Sequence, residues 1–161
     1  MLLQLYYSFI HPYLIYVNII WGNAPASSLW PIYKLQKIAI RIITNTHSGS
    51  STLTHCITLR ILRLPEIHTF NVILFMYKLY HDMMPSSLTS LFQKNRDIHS
   101  YNTRGASNLR PPKIKSTMAE IFLTSTGVKL WNDYSTKIDP HSKIGTFKQK
   151  LITLLLTEYI S

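Results

Sequence analysis

Leu29 to Ile43 reads LWPIYKLQKIAIRII, a stretch with the period of a helix. At 3.6 residues per turn, Ile32, Leu35, Ile38, Ala39, Ile42 and Ile43 share one face, and Lys34, Lys37 and Arg41 gather on roughly the opposite side. Pro31 suits a first helical turn, where its missing N–H costs nothing. No acid interrupts the stretch. A helix patterned this way can dock on a core and offer cations to something anionic. A solvated face on an ordinary core helix has the same pattern.

Working outward, the charge on either side is uneven. The chain of 161 residues holds 17 Lys and Arg against 7 Asp and Glu, a formal +10. Residues 1–33 contain none of these four types, and the first acid is Glu66. A pI near 9.8 favours a polyanionic partner, either nucleic acid or an anionic membrane surface. The apolar fraction of 46% is that of a globular chain, and the length suffices for a domain with a core. Cys56 is the only cysteine, so no internal disulfide forms.

Upstream, LLQLYYSFIHPYLIYVNIIW places 15 apolar or aromatic residues among positions 2–21. Gln4, Ser8, His11, Pro12 and Asn18 are scattered through it, and no Lys or Arg flanks it, so a membrane span is disfavoured. No basic region precedes the apolar run as a signal peptide requires. A helix buried against protein fits better, with the tyrosine hydroxyls finding partners. A small membrane-associated protein anchored by residues 2–21 remains the alternative from another class.

Downstream, Gly22 to Ser28 reads as a turn and Thr44 to Thr52 as a polar loop. A short helix is expected over about Thr54–Leu59, and Pro65 and Glu66 open a second long helix ending near Met84. Ile67, Phe70, Leu74 and Tyr77 make its stripe, and Val72, Phe75, Met76 and Leu79 extend the apolar surface nearly all round, so this helix should be central. Ser86 or Ser87 can cap a short helix through Phe92. From Lys94 to Lys115 periodicity disappears: Lys94, Arg96, Arg104, Arg110, Lys113 and Lys115 face the single acid Asp97, in an extended basic loop. Residues 117–131 suit a short strand or a helix, and a terminal helix is expected over about Gly145–Ile160. The fold class is mainly α, a helical bundle with a long basic loop and room for one short β element.

Catalytic chemistry finds little support. A two-metal site needs clustered carboxylates, and the seven acids are all separate. His55 and Cys56 are adjacent, a poor arrangement for one ion, and no Cys-x-x-Cys or His-x-x-x-His occurs. The five glycines are isolated, so no phosphate loop exists. No metal or cofactor is expected in this chain. Binding remains: Lys34, Lys37 and Arg41 with the six cations of residues 94–115, and Tyr101 among them, suit backbone neutralisation and stacking.

In order along the chain, LYYSFIHPYLIYVNIIWG, KLQKIAIRIIT, LPEIHTFNVILFMYKLYHDMMP, HSYNTR, GVKLWN and FKQKL resemble the C-terminal region of non-LTR retrotransposon reverse transcriptases, the LINE-type, jockey-like transposable elements. That region lies after the polymerase palm and covers the thumb and the segment beyond. The resemblance implies a palm-to-thumb connection over 1–28, a thumb-like core over 29–93, a basic loop over 94–116 and a C-terminal extension over 117–161. By the same resemblance Lys34, Lys37 and Arg41 would touch a template–primer backbone, and Tyr101, Asn102, Thr103 and Arg104 match a Tyr-x-Thr-Arg signature. Tyr101, Arg104, Arg110, Lys113 and Lys115 would add nucleic-acid contacts.

The implied parent activity is RNA-directed DNA synthesis, with magnesium as the parent polymerase's cofactor and RNA, DNA or an RNA–DNA hybrid as partner, inside the cell in nucleus or cytoplasm. The palm and its Ala-Asp-Asp carboxylates do not occur in these residues, so the chain reads as a fragment whose missing partner is the palm and which alone should not polymerise. Met1 falls inside the family's pattern. Family members commonly follow Trp-Asn with Leu-Pro, whereas Asp133, Tyr134 and Ser135 follow Trp131-Asn132 here, a departure compatible with a decayed reading frame.

Overall fold

The computed structural model describes residues 1–95, 108–113 and 122–158. They are mainly α-helical, in the order α1 (Leu2–Leu5), a π-helical turn (Tyr6–Ile10), α2 (His11–Ile15), α3 (Asn18–Trp21), α4 (Ala26–Thr44), α5 (Leu53–Leu59), α6 (Leu64–Tyr80), α7 (Ser86–Thr89), α8 (Leu123–Lys137) and α9 (Ile144–Thr157). Among the described residues, β pairing amounts to an isolated antiparallel bridge between Lys94 and Leu109. No helix among them is long and apolar enough to cross a membrane. The packing forms two compact units, Met1–Asn71 with Lys148–Ser161, and Val72–Phe147.

The opening is not the single buried helix that its hydropathy suggests. Pro12 has no N–H to return to Ser8, and the turn before it widens, the His11 N–H reaching Tyr6 O five residues back. The chain then breaks at Val17, whose φ of 49° is a strained value for a β-branched residue. Trp21 holds the break, its indole N–H donating to Tyr16 O at 2.7 Å. The segment still packs one side inward, with Tyr6 and Leu14 joining Ala39, Ile40, Cys56, Ile61, Leu64 and Ile67 in the core of the first unit. Its other side leaves Phe9, Tyr13, Tyr16 and Ile20 exposed.

α4 starts three residues earlier than Leu29 and runs through Pro31. Pro25 begins it, its carbonyl accepting from both Ser28 and Leu29 N–H. Pro31 is the sixth helical residue, and Ser27, whose carbonyl it leaves without the usual helical donor, is an exposed residue.

The helix is also rotated from the face that the apolar residues suggest. Leu29, Ile32, Tyr33, Ala39, Ile40 and Ile43 turn inward around Gln36, while Leu35, Ile38 and Ile42 are exposed. The cause is Gln36 itself, 1% exposed. Its Nε2 donates to Tyr6 Oη (3.0 Å) and Leu62 O (2.9 Å), and its Oε1 accepts from Leu64 N–H (2.8 Å). A polar group that meets a backbone segment this fully can sit at the centre of a packed face.

α4, α5 and α6 end alike. Asn45, Arg60 and Asp82 take left-handed φ near 50°. The N–H groups of Thr46, Ile61 and Met83 reach back five residues to Arg41, Cys56 and Lys78 O. These are Schellman closures made without glycine, and the last stops α6 at Tyr80, short of Met84. As its all-round pattern predicts, α6 is central: Ile67, Val72, Ile73, Met76 and Tyr77 are all buried.

In the second unit, residues 123–137 are helical and the helix passes Trp131 to Lys137. No proline stops it after Asn132, and Asp133 pairs with Lys137 at 3.0 Å. Gly127 packs so near α6 that a Cβ there would lie 2.9 Å from Met76 Sδ. Trp131 lies one turn on, its ring 5.3 Å from that of Tyr80 and 6.2 Å from that of Phe147.

Candidate nucleic-acid interface

On α4, Lys34, Lys37 and Arg41 share a stripe with Trp30, at spacings of four, three and four residues. Trp30 is 56% exposed. Lys37 Nζ lies 4.2 Å from the Tyr33 ring centre and 4.9 Å from that of Trp30, so its charge rests on two aromatic faces. The two rings meet edge to face at 6.0 Å. Burial raises the Tyr33 phenol above its usual pKa, against the opposing pull of Arg63. Arg63 in turn pairs with Glu66.

The three cations of the stripe are not equivalent. Lys34 is exposed, and its side chain makes no hydrogen bond or ion pair among the described residues. Lys37 is held by its rings. Arg41 Nε and Nη2 both donate to Ser50 O, at 3.1 and 3.0 Å, and so brace the polar loop after α4. That loop and the helix end bound an open groove of about 330 Å³ lined by Ile38, Arg41, Ile42, Asn45, Thr46 and Ser48. Trp30 is the residue that charge counting passes over. Its register with the three cations is the signal that points to it.

Arg110 and Lys113 lie in the second unit and line one cavity. Tyr101, Arg104 and Lys115 fall outside the described residues. Cys56 is buried, and burial pushes its thiol up to about 11, as for an inert core cysteine. Among the described residues no group of three or more His, Cys, Asp or Glu is placed to hold a metal ion.

Other residues of the quoted motifs have structural partners. His68 faces Asn18 O through Nδ1 (3.1 Å) and the Asn23 side chain through Nε2 (2.9 Å). Burial holds the His68 pKa below its ordinary 6.5, against the opposing effect of the Asn18 carbonyl. Gly22 lies beneath that ring: a Cβ there would come within 2.2 Å of Nδ1. Asn132 accepts from Leu109 N–H through Oδ1 (3.1 Å) and donates to Leu109 O through Nδ2 (2.8 Å). No protein-family model, curated protein or solved structure matches the chain.

Proposed function

We propose that these residues are the thumb and following region of a LINE-type reverse transcriptase, and that their own contribution is sequence-tolerant binding of RNA or an RNA–DNA hybrid. The observation that carries the binding function is the α4 stripe, in which exposed Trp30 is in register with Lys34, Lys37 and Arg41 and the Lys37 charge rests on the Trp30 and Tyr33 rings. Interleaved rings and cations suit a nucleic-acid strand, since cations neutralise phosphates and an exposed indole can stack on a base or sugar of any sequence. The family assignment is supported by the ordered motifs, several of which have distinct physical roles. The Gly of WG admits the His68 ring, the Gln of KLQK grips Leu62 and Leu64, and the Asn of GVKLWN grips Leu109.

The test is fluorescence anisotropy of labelled RNA and RNA–DNA hybrid against salt. The expected result is a log affinity that falls linearly with log salt, with a slope flattened by about 1.4 in Lys34→Gln/Lys37→Gln, at roughly 0.7 per phosphate contact on a single strand. Trp30→Ala should weaken binding about tenfold at every salt concentration, within the roughly 1–3 kcal/mol of a stacking contact. Binding that is unchanged in both variants would remove α4 from the interface.

A further inference from the structure

The second unit contains a cavity of about 300 Å³ whose walls include Ser90, Gln93, Arg110, Lys113, Thr124 and Val128. No acid lines it. Arg110 is half-buried and Lys113 exposed, and among the described residues neither side chain has a hydrogen-bond or ion-pair partner. The hydroxyls of Ser90 and Thr124 and the Gln93 amide can supply neutral donors beside these two cations.

The backbone that leads into Arg110 is held by several hydrogen bonds. Asn132 grips the N–H and the carbonyl of Leu109, the Arg110 N–H donates to Gln93 O at 2.8 Å, and Asn95 N–H donates to Asn108 O at 3.1 Å. Pro111 and Pro112 then limit the backbone freedom between Arg110 and Lys113. Two cations without a side-chain partner among the described residues, in a concavity with neutral donors and no described carboxylate, match the chemistry of a phosphate group, which favours a forked guanidinium and a point ammonium.

The geometry points to this cavity as a phosphate subsite for a nucleic-acid strand, separate in its residues from the α4 stripe and resting on the nucleic-acid function proposed above. Arg110 supplies the paired donors, Lys113 a second charge, and the cavity reads no base.

The test uses the 161-residue chain in two arms. In the first, Arg110→Gln/Lys113→Gln is compared with wild type in the RNA anisotropy titration. A slope of log affinity against log salt reduced by about 1.4 is expected, roughly 0.7 for each of two contacts, with circular dichroism unchanged. In the second, pyrophosphate is titrated into 15N-labelled wild-type protein, with shifts expected at the Thr124 and Arg110 amides and lost in the double variant. A slope unchanged in the variant overturns the proposal even if pyrophosphate binds, because the cavity would then be an anion site that nucleic acid does not use. If α4 variants leave RNA binding intact while the Arg110/Lys113 variant flattens its slope, the α4 stripe fails and the cavity stands. If wild-type protein binds no RNA, both fail, whatever pyrophosphate does.

Discussion

Gln36 in the first unit and Asn132 in the second both lay a side-chain amide against main-chain groups, donating through nitrogen and accepting through oxygen. They differ in burial and in span. Gln36 is enclosed, bridges Leu62 and Leu64 and adds the Tyr6 hydroxyl, so the opening segment, α4 and the entry to α6 meet at one side chain. Asn132 is half-buried and grips the single residue Leu109, ahead of the Arg110–Lys113 segment. The same amide chemistry thus organises a core in one unit and orients an exposed basic segment in the other. Its energetic weight follows from how much water can replace it.

That contrast breaks most directly at Gln36. Gln36→Ala leaves the Leu64 N–H, the Leu62 carbonyl and the Tyr6 hydroxyl without their partner, at about 1–3 kcal/mol for each buried group. A total loss of about 3–5 kcal/mol is expected in urea unfolding, enough to unfold a marginal domain. A loss below about 1 kcal/mol would mean that water reaches the site and that the two clamps are alike. Gly22→Ala comes next. The new Cβ meets His68 Nδ1 at 2.2 Å and Asn18 O at 2.6 Å, and the Asn18 contact is backbone. About 2–3 kcal/mol of destabilisation is expected from this overpacking. In the second unit, Gly127→Ala meets the flexible Met76 Sδ at 2.9 Å. Its helix-propensity gain of about 1 kcal/mol should offset much of the clash.

Asn132→Ala should cost less than Gln36→Ala, about 1–2 kcal/mol by the same urea measurement, because water can reach part of the freed Leu109 backbone. A cost equal to that of Gln36→Ala would show the second clamp to be as structural as the first.

These particulars explain what could be read beforehand. α6 was legible because its apolar residues run nearly all round, and such a helix has only one place to go. α4 was legible as a helix but not in its orientation, because an apolar count puts Leu35, Ile38 and Ile42 inside and cannot know that Gln36 has three partners 26 to 30 residues away. The opening read as one helix because hydropathy does not register Pro12 widening the turn before it or Trp21 capping the break at Val17. At the candidate interface, charge marked Lys34 and Lys37. The bracing role of Arg41 depends on the position of Ser50 O, and the exposure of Trp30 on the true rotation of the helix. Neither is local information.

The smallest expected effect is a pH dependence whose source lies in the first unit. Burial lowers the pKa of both His11 and His68, so the unfolded chain binds protons more readily than the folded one over the interval from the ordinary value of 6.5 down to the folded values. Stability must therefore fall as pH drops through that interval, and the contribution is fully present above it. For His68 the cause is visible. Its ring is buried and packed over Gly22, so the imidazolium would have to charge in a site with little water, and the nearby Asn18 carbonyl offsets this only in part. Urea midpoints measured from pH 7.5 to 5.0 should decline in wild type, and His68→Gln should flatten part of that decline. If the profile is the same in His68→Gln and His11→Gln, burial of these rings does not govern the acid side of stability. The first unit would then owe its strength to the Gln36 clamp and its apolar core alone.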